Sequence, residues 1–443
     1  MKRTVLTAAA ALLALAALQG RAAADGTPAP GAPAAWQPAG TVLPGAATTA
    51  DAPPMKPGTT YRDTIEPGGT RFYGIALDAA ASAAVSAFAL PPAGSRVTYG
   101  DGIELKLQSA DGTDCDTRNA HFQDNGDARP IGTAVSRLIT GDHGDACQDA
   151  NQYTLQVHRT SDGASDPDAW PLELRYVSEP GLREGANESP SPVTTASAPP
   201  TPLTAGTPRQ AAGGPSFDTA AAVRTGIWKD RVLPGETRFY KVPVGWGQQA
   251  TVFTDFSSAQ ATGTGTYVGS GVRLTAYSPV RELIDGDDHA YQGTPVSLVE
   301  QLAPVAYGNR AANDEKVQRV RYAGWYYFAV TVHPDVAKAV TGPVPVTLRV
   351  DVQGTAEPGP VYDGDARAAG IGVDAHDVAS ANGTADGSDG HSGALRFLAF
   401  AALGAGTVLL LTLAAWYAAA RLRPARAGDA TVRQPGYGPP GSW

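Results

Sequence analysis

Hydrophobic and polar residues alternate along several short stretches of this chain, with the period of a half-buried β-strand. In one of them, Ile103, Leu105 and Leu107 alternate with Glu104 and Lys106. Turn-forming Pro and Gly residues separate such stretches, and helical periodicity is found only in the two terminal segments. The pattern predicts an all-β protein built from β-sandwiches.

One stretch occurs twice. Residues 61–77, "YRDTIEPGGTRFYGIAL", align without gaps on residues 228–244, "WKDRVLPGETRFYKVPV". Further matches follow in the same order: GIELKLQS (102–109) with GVRLTAYS (271–278), GTAVS (132–136) with GTPVS (293–297), YTLQV (153–157) with the residues around 326–330, and PLELRY (171–176) with PVTLRV (345–350). Five matches in one order indicate a duplicated domain. We therefore predict two tandem jelly-roll-like β-sandwiches, at residues 57–180 and 217–353.

The repeated signature has a structural interpretation. Its Pro-Gly pair suits a tight turn, because proline presets φ and glycine accepts a positive φ. After the turn, alternation places the tyrosine in the core, and the phenylalanine before it then faces the opposite side, which we expect to be covered too. The signature residues are Pro67, Gly68, Arg71 and Tyr73 in the first copy and Pro234, Gly235, Arg238 and Tyr240 in the second.

The order of these motifs resembles the bacterial pre-peptidase C-terminal domain. The features concerned are the P-G-x-T-R-F-Y turn and strand, the alternating strand followed by an A-D-G-T turn, and the segments G-W-Y-Y-F-A-V and P-V-T-L-R-V. The resemblance covers most of each predicted sandwich. It implies a jelly-roll-like accessory or binding module of the kind found beside secreted peptidases, with no catalytic residues to carry over.

The two ends of the chain predict export and anchoring. Residues 1–24 combine Lys2 and Arg3, a short apolar run and an A-x-A site, as in a signal peptide. Residues 397–420 carry no charge, and at about 1.5 Å per residue they would span a bilayer. We assign 394–420 to a transmembrane helix. Because arginines follow it directly, we place the tail 421–443 in the cytoplasm and the rest outside.

Three segments have compositions that do not favour a packed core. Residues 25–56 are rich in Ala and Pro and are expected to be disordered, and residues 181–216 are expected to form a Pro/Ser/Thr linker. Residues 354–393 have few large apolar side chains, so we expect a flexible stalk.

Charge and cysteine content narrow the choice of partners. The chain has a formal net charge of −9, and the predicted outer part, residues 25–393, holds 42 of its 43 acidic residues. This balance disfavours nucleic acid as a partner. The two cysteines, Cys115 and Cys147, both lie in the exported part, which predicts one disulfide. It would link two loops that differ between the repeats, either to hold a binding surface or only to prevent fraying.

Candidate chemistry is limited to a possible calcium site. Carboxylates crowd the loops around the cysteines, and Ca²⁺ binds through six to eight oxygens. The candidate ligands are Asp114, Asp116, Asp124 and Asp127, with a weaker group at Asp285, Asp287 and Asp288. Strand context assigns most of Trp325, Tyr326, Tyr327 and Trp246 to the core rather than to a binding face.

No hydrolase, metalloprotease or P-loop motif is found in the sequence, so we expect no enzymatic activity and no resident cofactor. The expected function is non-catalytic: a bacterial cytoplasmic-membrane protein whose outer modules bind a cell-wall polymer or another envelope protein. The alternatives are an accessory subunit that docks a separate enzyme, and a hydrolase whose site is assembled from distant loops.

Overall fold

The structure is a computed structural model that describes residues 33–92, 94–140, 146–184, 199–263, 265–382 and residue 436. The predicted signal peptide and transmembrane helix lie outside these ranges, and only residue 436 of the predicted tail lies within them. Within the described part of the chain, no helix is long and apolar enough to cross a membrane. The described residues up to 382 all belong to one unit of the chain.

Short strands make up most of the described chain, as the alternating pattern predicts. In the first half they are β1 (Thr41–Val42), β2 (Thr60–Ile65), β3 (Thr70–Leu77), β4 (Ser82–Ala89), β5 (Gly102–Gln108), β6 (Asp114–His121), β7 (Ile131–Arg137), β8 (Asn151–Thr160) and β9 (Trp170–Glu179). In the second half they are β10 (Arg209–Gln210), β11 (Ala221–Ala222), β12 (Gly226–Val232), β13 (Thr237–Val244), β14 (Gln249–Phe256), β15 (Gln260–Ala261), β16 (Val272–Tyr277), β17 (Leu283–His289), β18 (Val296–Gln301), β19 (Gly324–Val332), β20 (Val340–Thr341) and β21 (Val344–Gln353).

Helices in the described residues are short and lie in the connections. The α-helices are Glu315–Gln318, Val336–Ala339 and Ala375–Ser380, and the 3₁₀ helices are Thr49–Asp51 and Tyr307–Ala311. The all-β prediction is therefore confirmed.

The two halves form pairs of sheets with the same strand order, apart from β11, which adds a fifth strand to one sheet of the second half. The first pair is β1-β2-β9-β4-β7 and β3-β8-β5-β6, and the second is β10-β12-β21-β14-β18 and β11-β13-β19-β16-β17. Each pair encloses one hydrophobic core fed by both of its sheets. We call them the first and second sandwich. Strand by strand, the two correspond in order and direction.

The repeated turn and strand are built as the signature predicts. Gly68 and Gly235 have φ values of 67° and 83°, the left-handed region that glycine tolerates. The amide of Gly69 donates to the carbonyl of Glu66 at 2.9 Å and closes the first turn. The predicted core residues after the turn are buried in both copies: Tyr73, Ile75 and Leu77, and Tyr240, Val242 and Val244.

Each signature tyrosine is locked by an aspartate and a glycine from upstream. In the first sandwich, the Tyr73 hydroxyl donates to Asp63 at 2.8 Å, and the amide of Gly45 donates to the same carboxylate oxygen at 2.8 Å. A Cβ on Gly45 would lie 2.7 Å from the tyrosine ring, so only glycine fits there. Burial and Asp63 both raise the pKa of Tyr73, so the hydroxyl remains a donor.

The second sandwich repeats this lock atom for atom. The Tyr240 hydroxyl donates to Asp230 at 2.6 Å, and the Gly213 amide donates to the same oxygen at 2.8 Å. A Cβ on Gly213 would lie 2.8 Å from the ring. The duplicated unit therefore begins upstream of the sequence match, near Thr41 and Arg209, where β1 and β10 add in parallel to β2 and β12.

The signature arginines support the same region. Arg71 Nε donates to the carbonyl of Thr64 at 3.2 Å, and Arg238 donates to the carbonyl of Gly213 at 2.7 Å. Both side chains thus hold backbone beside the lock, and their role is structural.

The N-terminal segment is packed where it is described, contrary to the expectation of disorder for residues 25–56. Trp36 is buried, and its Nε1 donates to Glu173 at 3.0 Å. Its ring contacts Phe88 of the first sandwich and Phe217 and Phe239 of the second. The Trp36 side chain packs on the apolar surfaces of the two sandwiches and holds this segment in place, although its Ala/Pro-rich composition predicts disorder.

The predicted linker and stalk also differ from expectation where they are described. In the predicted linker, Arg209 lies in β10, with its guanidinium 3.8 Å from the centre of the Trp228 ring. In the predicted stalk, Ile371 is buried in an apolar cluster with Tyr322, and Tyr362 packs against the same cluster. Residues 354–382 therefore pack on the folded body, because a few large side chains reach it from a small-residue segment.

The two sandwiches share a buried interface with matched charges. Arg281 of the second donates to Glu173 of the first at 2.7 Å, and both side chains are almost fully buried. Arg310 pairs in the same way with Glu179 at 2.9 Å. The face that carries Phe239 is covered by this interface, which confirms that prediction for the second copy, whereas Phe72 of the first copy is half-buried.

A charged cleft between the sandwiches as candidate functional site

The cleft lies where edge strands of the two sandwiches meet. Strands β6 and β7 end the two sheets of the first sandwich, and β17 ends one sheet of the second. The Leu283 amide donates to Thr133 Oγ1 at 3.1 Å and joins β17 to β7. Beside this junction lie two cavities of ≈ 250 and ≈ 620 Å³, each lined by residues of both sandwiches.

The smaller cavity is bordered by the predicted disulfide, which is confirmed. Cys115 and Cys147 are bonded, with their Cα atoms 5.8 Å apart. Cys115 lies in strand β6 rather than in a loop, whereas Cys147 follows β7 and has a left-handed φ of 64°. The disulfide thus ties the loop after β7 to an edge strand of the other sheet.

A buried arginine supports the same loop. All the N–H groups of the Arg137 guanidinium donate to backbone carbonyls, and no carboxylate of the described residues pairs with it. The acceptors are the carbonyls of Cys147, Asp78, Ala81, Gln148 and Asp149, at 2.6 to 3.0 Å. This arrangement fixes the wall of the smaller cavity, since moving the loop would leave a buried cation unsatisfied.

A second buried arginine crosses from the other sandwich. Arg321 donates to Ser136 Oγ at 2.8 Å and pairs with Glu282, also at 2.8 Å. Burial alone would lower the pKa of Arg321, but Glu282 raises it, and the net shift is upward. The guanidinium therefore stays charged at the floor of the cleft.

Arg273 lines the larger cavity and belongs to a mixed-charge group. Its guanidinium lies 3.3 Å from Asp288 of its own sandwich, and 3.8 and 3.9 Å from Asp124 and Asp127 of the first. Burial lowers the pKa of Arg273, an effect that the three carboxylates oppose. Sequence reasoning missed this group, because its members come from both halves of the chain.

The four calcium candidates of the first sandwich are not brought together. Each faces a basic side chain instead: Asp114 faces Lys106 at 3.4 Å, Asp116 faces Arg118 at 3.2 Å, Asp124 faces Arg273 at 3.8 Å, and Asp127 faces Arg129 at 2.7 Å. Asp116 also accepts from the Ser136 amide at 2.9 Å, which ties β6 to β7. These carboxylates neutralise arginines and lysines rather than forming a cation cage.

Another group of potential metal ligands lies at the start of the helix Ala375–Ser380. Among the described residues, Asp374, His376 and Asp377 are the potential ligands that lie within 4.8 Å of one another. Asp374 and Asp377 form the capping box of the helix Ala375–Ser380, and both pair with Arg367. Their geometry is explained by helix capping.

The prediction that most of the four aromatic residues lie in the core holds only in part. Tyr326 is buried, whereas Trp325, Tyr327 and Trp246 are half-buried, and Trp325 donates to Asp377 at 3.1 Å. The exposed aromatics are instead Tyr99 and Tyr267, at 70% and 71% exposure. Each lies in the loop before the equivalent strand of its sandwich, and each follows a threonine. The paired T-Y before β5 and β16 was the sequence signal for them.

No protein-family model and no curated protein matches this chain. Among solved structures, the chain is similar to the pre-peptidase C-terminal domain of a Bacillus anthracis collagenase, with 16% identity, TM-score 0.19, and coverage of 28% of this chain and 94% of that one.

Two further similarities cover more of the chain. The CUB1-EGF-CUB2 fragment of human MASP-1/3 has 6% identity and TM-score 0.14, and the match covers 66% of this chain and 99% of that one. Tripeptidyl peptidase 2 has 8% identity and TM-score 0.20, and the match covers 67% and 24%. At these TM-scores, the similarities identify neither a family nor a function.

Proposed function

We propose that this chain is a non-catalytic, single-pass protein of the bacterial cell envelope that holds two β-sandwiches outside the membrane as one binding body. The charged cleft between them binds another envelope protein, such as an enzyme for which this chain is an accessory subunit. The observation that carries the proposal is that both sandwiches line each of the two neighbouring cavities that make up this cleft.

The cleft has a fixed geometry because the interface behind it is buried. Arg281 with Glu173, Arg310 with Glu179, and the Trp36 anchor all join the two sandwiches. A site whose walls are held by buried ion pairs needs little ordering when a partner binds, which favours affinity. Two sandwiches joined only by a loose linker would not offer such a site.

The lining favours a protein partner over a sugar polymer. The lining of the two cavities carries both positive and negative side chains, and such a surface is complementary to a protein segment that carries both signs. The basic lining residues are Arg118, Arg129, Arg137, Arg273, Lys316, Arg319 and Arg321, and the acidic ones are Asp116, Glu282, Asp285, Asp314 and Glu315.

A second candidate function is binding of a cell-wall polymer through Tyr99 and Tyr267. Rings that are about two-thirds exposed offer flat surfaces on which sugars stack, and an amphipathic tyrosine suits such a face. Their occurrence in equivalent loops of both sandwiches favours this reading over a chance exposure.

Site-specific photo-crosslinking in cells of the native host tests the proposal. A crosslinking residue at position 315, in the cleft wall, should trap one discrete protein, whereas the same residue at the similarly exposed position 338 should not. Glu315→Lys should reduce recovery of that partner at least about tenfold. Equal trapping from both positions would exclude the cleft as the site.

Co-sedimentation with purified wall material tests the second candidate function, binding of a cell-wall polymer. Full-length protein that co-sediments, and that loses this property in a Tyr99→Ala/Tyr267→Ala variant, would establish the second candidate. A partner trapped at position 315 by that same variant would show that the two functions are independent.

A further inference from the structure

An acidic group lies at the open edge of the second sandwich, between β17 and β18. In the register of β17 with β16, Asp285 lies opposite Ala276 and Asp287 lies opposite Leu274. Directly opposed residues of antiparallel strands share a face of the sheet. Since Ala276 and Leu274 are fully buried in the core, both aspartates lie on the core side of this edge strand.

Glu300 faces the same edge from β18. It lies opposite the buried Val252 and is itself only 4% exposed. Within the described residues, its carboxyl group has no hydrogen bond and no ion pair. Burial, and then Asp285 and Asp287, raise the pKa of Glu300 to about 8.

The equivalent positions of the first sandwich are not acidic in this way. Matching the strands by register places Asp116 at the position of Asp285 and Arg118 at that of Asp287. There the two form an ion pair with each other at 3.2 Å, and the site is neutral without any other group.

The counterpart of Glu300 in the first sandwich is a core valine. Val135 lies opposite Val85, as Glu300 lies opposite Val252, and Val135 is fully buried. The second sandwich thus replaces an arginine and a core valine with two acids. Both changes raise the negative charge of the same spot, and a packing role explains neither.

Lys316 is a nearby cation, and among the described residues its one ion pair is with Asp285. Its ammonium forms an ion pair with Asp285, and hydrogen bonding to that aspartate is the main cause of its raised pKa. The lysine side chain is 63% exposed, so it can swing away into water. The single exposed ammonium of Lys316 is thus a cation near the three carboxyl groups of Asp285, Asp287 and Glu300.

We propose that Asp285, Asp287 and Glu300 bind a divalent cation, Ca²⁺ outside the cell, when Asp285 exchanges the Lys316 ammonium for the ion. Hard oxygen ligands of this kind suit Ca²⁺, and water and backbone carbonyls would complete its six to eight ligands. In this structure the three carboxyl groups do not all lie within 4.8 Å of one another, so Asp285 has to release Lys316 and turn towards the other two before they can chelate an ion, and the lysine competes with the ion. The inference does not depend on the partner proposed for the cleft.

Calcium titration of the full-length protein by calorimetry, after treatment with a chelator, tests the proposal. We expect binding with a dissociation constant of about 10⁻⁴ to 10⁻³ M, the range of extracellular modules. Glu300→Gln, which keeps the shape and removes the charge, should weaken binding at least about tenfold. Lys316→Gln should tighten it several-fold, because the competing ammonium is gone.

Asp114→Asn is the matched control in the first sandwich and should bind Ca²⁺ like the wild type. A thermal melt of each variant without calcium shows that it is folded. Folded wild-type and Lys316→Gln proteins that bind no Ca²⁺ would overturn the proposal. Equal binding by Glu300→Gln and the wild type would overturn it as well, since the ion would then lie elsewhere.

Discussion

The two sandwiches have the same scaffold and different edges. Strand order, the Pro-Gly turn and the tyrosine lock are repeated almost atom for atom. At the edge between the sheets, however, the first sandwich has a disulfide and a self-neutralised Asp116–Arg118 pair, whereas the second has Asp285, Asp287 and Lys316. The repeated features include the tyrosine lock, which gives buried polar groups their hydrogen-bond partners. The two copies differ at the edge between their sheets.

A second difference lies on the outer faces of the equivalent strands β9 and β21. Glu173 on β9 accepts from Arg281, from Trp36 and from the Ala39 amide at the sandwich interface. At the equivalent position of β21 the second sandwich has Thr347, which is half-buried. One face is adapted to be covered by the other sandwich.

The largest expected effect on stability comes from replacing Glu173, which only the first sandwich has at this position. Glu173→Ala leaves the nearly buried Arg281 without its main partner and two N–H donors without an acceptor, so the free energy of unfolding should fall by about 3–5 kcal/mol. The matched Thr347→Ala change should cost about 1 kcal/mol or less. Urea unfolding of the full-length protein measures both. Equal costs would mean that the ion pair does not hold the sandwiches together.

The next effect concerns Glu300 and depends on pH. Its pKa is about 8 in the folded protein, above its ordinary value of 4.5, so the folded state binds a proton that the unfolded state releases. The stabilisation by this proton is complete below pH 4.5 and is lost as the pH rises towards 8.

Glu300→Val introduces the valine found at the equivalent position, Val135, of the first sandwich. It should remove the decrease in stability that the wild type shows as the pH rises. In chelator, its stability relative to the wild type should increase by about 2–3 kcal/mol from pH 5 to pH 7, because one pKa unit corresponds to about 1.4 kcal/mol. Melting curves across this pH range measure the difference. A constant difference would show that Glu300 ionises normally.

The smallest effect tests the shared scaffold. Tyr73→Phe and Tyr240→Phe each remove one hydrogen bond to a carboxylate, which should cost about 1.5–3 kcal/mol, and the two costs should agree within about 0.5 kcal/mol. Hydrogen exchange of the Gly45 and Gly213 amides should rise in the corresponding variant only. Clearly unequal costs would show that the repeated geometry does not carry equal energy.

Sequence reasoning reached the sheets and the disulfide because both depend on local patterns. It missed Gly45 and Gly213, since their need for glycine arises from a tyrosine that lies 27 or 28 positions away in the chain. It also missed Glu300. The match of GTAVS with GTPVS pairs Val135 with Val296, whereas the strand register pairs it with Glu300, four positions on.

The cleft could not be predicted from the sequence for a related reason. Arg137 and Arg321 resemble ordinary charged positions in their segments, and their burial depends on contacts between halves of the chain. Segment composition failed in the same way for residues 33–56 and 354–382, where one or two large side chains decide the packing.

The position of Trp36 also sets an order for assembly. Phe239, one of its ring contacts, follows it by 203 positions, and at about 5–20 residues per second a ribosome needs roughly 10–40 s to synthesise that stretch. The segment around Trp36 must therefore wait for strand β13, the thirteenth of 21, before all of its aromatic packing partners have been made. A factor that shields the Trp36 indole during this interval would act before the second sandwich is complete.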